Sequence, residues 1–104
     1  MAHLIVRQKV ADFSKWKKAF DGDADIRRSG GSGGGHVFQS AGDPNEVIVV
    51  MEWDTMDNLQ QFAQSDELKA RMKEAGVTGP SDVYLVNLVD SRLRDWPAIN
   101  SVSS

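Results

Sequence analysis

Apolar and polar positions alternate along the opening segment, His3–Val10 (HLIVRQKV). Leu4 and Val6 fall on one side, and His3, Ile5, Arg7 and Lys9 on the other. Period two with β-branched content predicts a strand. The period then changes. Phe13, Trp16, Phe20 and Ala24 recur at helical spacing behind Asp12, whose carboxylate suits an N-cap. This helix is expected to reach about Arg28 and to stop at Ser29 and the glycines that follow. His36–Ser40 predicts a short second strand, Gly42–Asn45 a turn, and Glu46–Trp53 (EVIVVMEW) the strongest strand, so that the two form a hairpin. Asp54 or Thr55 caps a helix carrying Met56, Leu59, Phe62 and Ala63. Ser65 or Asp66 caps another with Leu68, Met72 and Ala75 inward, and Gly76 serves as its C′ residue. Gly79 and Pro80 make a loop, and Val83–Val89 (VYLVNLV) is the last strand. The order β-α-β-β-α-α-β predicts an α+β, ferredoxin-like split β-α-β domain over residues 1–90. It has an antiparallel sheet and helices on one face, with a C-terminal tail over 91–104.

Helices on one face bury only that face. Yet in the third strand Val47, Val49, Met51 and Trp53 oppose Ile48 and Val50, and in the fourth Val83, Leu85 and Val89 oppose Tyr84, Val86 and Leu88. Both faces are apolar, and the chain has helix enough for one. Leaving the second face wet would cost about 25 cal/mol for each Å². A homodimer packed sheet to sheet with two-fold symmetry removes that cost. The C-terminal tail folded back over its own sheet is the alternative.

The chain has 104 residues, one domain's worth, and a net charge of −3 with both signs mixed along it. The densest basic cluster, Lys15, Lys17 and Lys18, lies beside Asp12 and Asp21 and reads as a solvated helix face. No nucleic-acid partner is expected. Without cysteine there are no disulfides, thiolate metal sites or thiol nucleophile. No apolar run approaches bilayer length and no leader pattern opens the chain, so no membrane partner and a cytoplasmic location are expected.

The opening strand followed by VADFSKWKKAFD, and then GDPNEVIVVMEWDTMDNLQQFAQSDELKARMKEAGVTGP, resembles the dimeric α/β-barrel superfamily. Within it the chain looks most like small proteins akin to antibiotic biosynthesis monooxygenases. The phrases that suggest this are EWD ahead of a helix and S-D-E-L leading to A-G-V, and the resemblance spans roughly residues 3 to 89. It implies a ferredoxin-like fold, a dimer formed through the sheets and a pocket between sheet and helices. It implies chemistry less directly, because the superfamily includes cofactor-free monooxygenases, polyketide cyclases, haem-degrading enzymes and proteins without known activity. The haem-degrading branch relies on an asparagine, a tryptophan and a histidine. The first strand here has no asparagine and no helix has a histidine.

Gly30–Gly35 (GGSGGG) follows a helix and opens a strand, the reverse of a dinucleotide fingerprint, and no P-loop lysine follows it. A mobile loop is expected instead. Asp21, Asp23 and Asp25 begin a calcium-loop spacing, but Ile26 and Ser32 stand where glycine and glutamate belong. No metal and no cofactor are expected. His3 and His36 are the two histidines. His36 opens a strand beside the glycine run and is the candidate acid or base, against a solvated strand-end histidine. Tyr84 and Asn87 are the candidates for stabilising an enolate or phenolate, against a core aromatic and an amide that fixes strand register. Trp16, Phe20, Phe38, Glu52 and Phe62 are the candidate pocket residues. Glu52 reads alternatively as a solvated or ion-paired carboxylate, and the aromatic residues as plain core. Arg7 is read as a sheet-surface salt bridge. The function expected is a cofactor-free monooxygenase or cyclase acting on a small aromatic or polyketide-like molecule. The alternative is a non-catalytic dimeric module that binds a small apolar ligand or has no assigned role.

Overall fold

The structure, a computed structural model, describes residues 1–91. The tail expected over 91–104 therefore lies, Ser91 apart, outside the described residues. The elements run β1 (Ala2–Val10), α1 (Phe13–Gly22), α2 (Ala24–Gly30), β2 (Ser32–Ser40), β3 (Asp43–Trp53), α3 (Met56–Ala63), α4 (Asp66–Glu74) and β4 (Val77–Asn87). The strands form one antiparallel sheet in the order β2-β3-β1-β4. This is the α+β ferredoxin-like arrangement.

Register decides which side chains share a face. Leu4 lies opposite Met51 and Leu85, and Val6 opposite Val49 and Val83. These residues turn toward the helices, where Leu4, Val47, Trp53 and Leu59 are the largest fully buried side chains. Each such residue stabilises the fold by about 1.5–3 kcal/mol relative to its exposed state. Ile5, opposite Val50 and Tyr84, turns to the other face. The helices start where the sequence places caps. Asp12, Thr55 and Ser65 accept from the backbone N–H of Lys15, Asn58 and Leu68 respectively.

Three expectations are corrected. The first helical stretch breaks at Asp23 into α1 and α2. Gly22 is a weak helix former, and Arg71 of α4 reaches the Asp23 carboxylate at 2.9 Å and holds the joint. The glycine run is not a loop. Gly30 ends α2, Gly31 takes the left-handed C-cap position at φ 118°, and Ser32–Gly35 begins β2. The run is clamped from β3, since the Trp53 indole N–H donates to Gly30 O at 2.8 Å and Asp54 N–H to Gly31 O at 2.9 Å. At Gly35 a side chain is excluded, because a Cβ there would overlap the Val50 carbonyl. The last strand begins at Val77, not Val83, so Gly79 and Pro80 are part of β4. An edge strand with a register shift accommodates that proline.

Candidate active site: a cavity between sheet and helices

The helix-facing side of the sheet does not close completely. A cavity of about 460 Å³ lies over β1, β3 and β4 beneath the helices, within the range of about 300–1,000 Å³ usual for small-molecule sites. Its apolar wall comes from Leu4, Val6, Val49 and Met51 of the sheet and from Trp16, Phe20, Phe62, Leu68 and Met72 of the helices. Helical spacing stacks the Trp16 and Phe20 rings at 5.0 Å, with Phe13 behind Trp16 at 5.9 Å. Phe62 is braced by Trp53 at 4.7 Å.

Two polar groups interrupt this wall. Gln8 sits on the inward face of β1 at 6% exposure, the one buried polar residue among the described residues. Ser81 of β4, also a lining residue, donates its hydroxyl to Gln8 Oε1 at 3.2 Å. At the edge of the cavity Arg71 pairs with Asp23, and the Arg27 guanidinium lies 3.7 Å over the Phe20 ring and donates to Phe20 O at 2.7 Å. Desolvation lowers the Arg27 pKa, with Asp23 and Asp21 opposing the shift. The charged lining residues are Arg27, Lys69, Arg71 and Lys73 against Asp23 and Glu67. The cavity is thus edged by net positive charge in an acidic chain.

The candidate residues from the sequence divide between the two faces of the sheet. Trp16, Phe20 and Phe62 line the cavity. His36 and Tyr84 do not. They lie on the open face, in a row that runs His36, Val50, Ile5, Tyr84 across the four strands. Phe38, two residues along β2 and 6.1 Å from the His36 ring, shares that face, as does Glu52 opposite His3. Asn87 is exposed at the end of β4, opposite Ala2, and is not a lining residue. The second row of the open face carries Arg7, bonded to Glu46 at 2.6 Å and to Asp82 at 3.1 Å. The hydrogen bond to Glu46 is the main cause that raises its pKa. Arg7 is thus a sheet-surface salt bridge.

Sequence reading missed Gln8, Ser81, Asp23 and Arg71 as cavity residues. Gln8 was legible in principle, because a polar residue at an inward strand position between Val6 and Val10 breaks the alternation. Ser81 and Arg71 carried no such mark.

A family model described as antibiotic biosynthesis monooxygenase matches residues 13–74. No curated protein matches the chain. Solved structures do. The cofactor-independent oxygenase SnoaB from Streptomyces nogalater has a TM-score of 0.71 at 13% identity, over 86% of this chain and 94% of that one. A Bordetella bronchiseptica protein described as a candidate antibiotic biosynthesis monooxygenase also has a TM-score of 0.71, at 19% identity over 85% and 96%. A Mycobacterium tuberculosis protein has 0.65, at 17% identity over 86% and 96%. At these identities the likeness is one of fold.

Proposed function

The chain belongs to the antibiotic biosynthesis monooxygenase family, and from that premise we propose that its cavity holds a small electron-rich aromatic molecule for oxidation by molecular oxygen without a cofactor. The observation that carries this reading is the aromatic wall of Trp16, Phe20 and Phe62 around a space of about 460 Å³ with little polar lining. Such a wall binds a flat apolar ring by area and by ring-to-ring contact. The similar fold of a cofactor-independent oxygenase supports the chemistry.

The reaction balances on the substrate's own electrons. A methylene flanked by a ring and a carbonyl, the keto form of a phenol, reacts with O₂ to give a carbonyl and water. Two C–H bonds break, one oxygen atom enters the ring and the other leaves as water. The protein has to favour the electron-rich anion and keep bulk water away. The cationic edge formed by Arg27, Lys69, Arg71 and Lys73 favours the anion.

We infer a homodimer joined through the open sheet face. Phe38, Tyr84 and Val86 are 52%, 55% and 36% exposed there, beside Ile5, Ile48 and Val50. His36 and Glu52 then belong to the subunit contact rather than to the chemistry. The second reading, a binding module without catalysis, is favoured by one observation. The cavity lining contains no histidine, tyrosine or cysteine.

The experiment is oxygen uptake with a panel of polycyclic phenols, followed by mass spectrometry under ¹⁸O₂. One labelled oxygen in the product, with uptake dependent on protein, is expected. Tight binding without uptake establishes the binding module instead.

A further inference from the structure

Gln8 is a costly residue at its position. It stands on the inward side of β1 between Val6 and Val10, 94% removed from solvent, where an apolar side chain would pack without polar desolvation. A buried primary amide has one acceptor and two donor hydrogens to satisfy. Its oxygen is satisfied by the Ser81 hydroxyl. Its nitrogen has no protein acceptor among the described residues, yet no fully buried side-chain nitrogen or oxygen there is left without a partner. The amide nitrogen is therefore not sealed in the core. Gln8 lines the cavity, and we infer that the nitrogen opens there.

The surroundings are built to keep it so. Between Arg7 and Lys9 the pairing of β1 with β4 shifts register, and Gly79 adopts φ 74° within the displaced stretch. This bulge brings Ser81 over Gln8 and fixes which end of the amide faces the protein. Bulges re-aim side chains in this way beside ligand sites. With the oxygen held by Ser81, the N–H group is left for the cavity, whose wall is mostly rings and aliphatic carbons and whose edge carries the charged side chains.

We propose that Gln8 contacts the substrate: its amide N–H donates to a phenolic or enolic oxygen of the bound molecule, most strongly to the oxyanion, and Ser81 is the positioning residue that holds the amide in that orientation. This rests on the cavity being the ligand site. It adds the residue that recognises the ionisable oxygen and the one that orients it. A hydrogen bond to a charged oxygen outweighs one to a neutral oxygen. The amide therefore favours the anion that reacts with O₂.

The test uses the full chain with 2-naphthol and naphthalene as probes, binding being followed by calorimetry and the ionisation of bound naphthol by its absorbance. Wild-type protein is expected to bind naphthol about tenfold more tightly than naphthalene and to ionise it at a lower pH than in water. Gln8→Leu should keep naphthalene affinity, lose the preference and shrink the ionisation shift to the part the cationic edge supplies. Ser81→Ala should lose most of the ionisation shift, and Ser81→Thr should restore it, which a merely structural serine would not do. Equal affinity for the two probes in wild type, or an unchanged ionisation shift in Gln8→Leu, overturns the assignment and leaves the cavity reading standing. Failure of wild type to bind either probe overturns both. Should Gln8→Leu not fold, the wild-type comparison and the Ser81 pair decide.

Discussion

At the scale of single residues, position in the lattice of contacts matters more than residue type. Leu59 is wholly buried at 0% exposure, and Leu59→Ala should cost about 2–5 kcal/mol in urea denaturation. Gly35 carries no side chain, yet Gly35→Ala should destabilise by about 1–3 kcal/mol or more, because the new methyl meets the backbone of Val50 and Met51 across the strand pair. Asp43 has its pKa lowered, first by the Asn45 backbone N–H at 2.9 Å and then by Lys9 at 3.2 Å. A carboxylate whose pKa falls on folding contributes stability above its unfolded pKa and loses it as pH drops through the folded value. Denaturation at stepped pH should show the difference between wild type and Asp43→Asn shrinking through the acid range. The Asp12 cap and the aromatic stripe were legible because each is a local pattern. The Gly35 contact was not, since only the register of β2 on β3 creates it.

At the scale of elements, local chemistry predicted the number of strands and missed where several elements begin. The helix stripe from Phe13 to Ala24 has unbroken apolar period, and within it only Gly22 hints at the joint at Asp23. That joint is set by Arg71, which lies 48 residues away in sequence. Arg71→Ala should loosen the joint and leave the sheet intact. Hydrogen exchange is expected to speed up in α2 while the amides of β1 and β3 keep their protection. The glycine run misled for a related reason. Its composition reads as slack, but the Trp53 indole and the Asp54 amide hold it as the entrance to β2. Slowed exchange is therefore expected at those amides between Ser32 and Gly35 that point toward β3, where composition alone predicts open exchange throughout.

At the scale of the whole molecule, the sheet divides the work between its faces. The sequence showed two apolar faces without showing which one holds a cavity, and the residues with the most familiar chemistry, His36 and Tyr84, fall on the face without it. Alternation assigned residues to opposite sides of each strand. It could not say which side the helices cover. Phe38→Lys placed opposite the apolar row should dissociate the proposed dimer, since a buried unpaired charge opposes association strongly. Light scattering is expected to report a dimer mass for wild type and a monomer mass for the variant. His36→Asn should leave naphthol binding in the cavity unchanged.

The bulge over Gln8 also sets a rule of parity. Two steps along β1, from Arg7 to Lys9, are matched by four along β4, from Thr78 to Asp82. The surplus is even, so Val77 and Val83, on either side of it, both still face inward opposite Val10 and Val6. A surplus of one, unless a bulge absorbed the odd residue, would reverse every side chain on one flank and trade Val83 for Tyr84. Insertions and deletions of two residues at this edge of the sheet should therefore be tolerated more readily than single ones. The lip of the cavity can lengthen or shorten to suit a different guest while the rest of the strand keeps its phase.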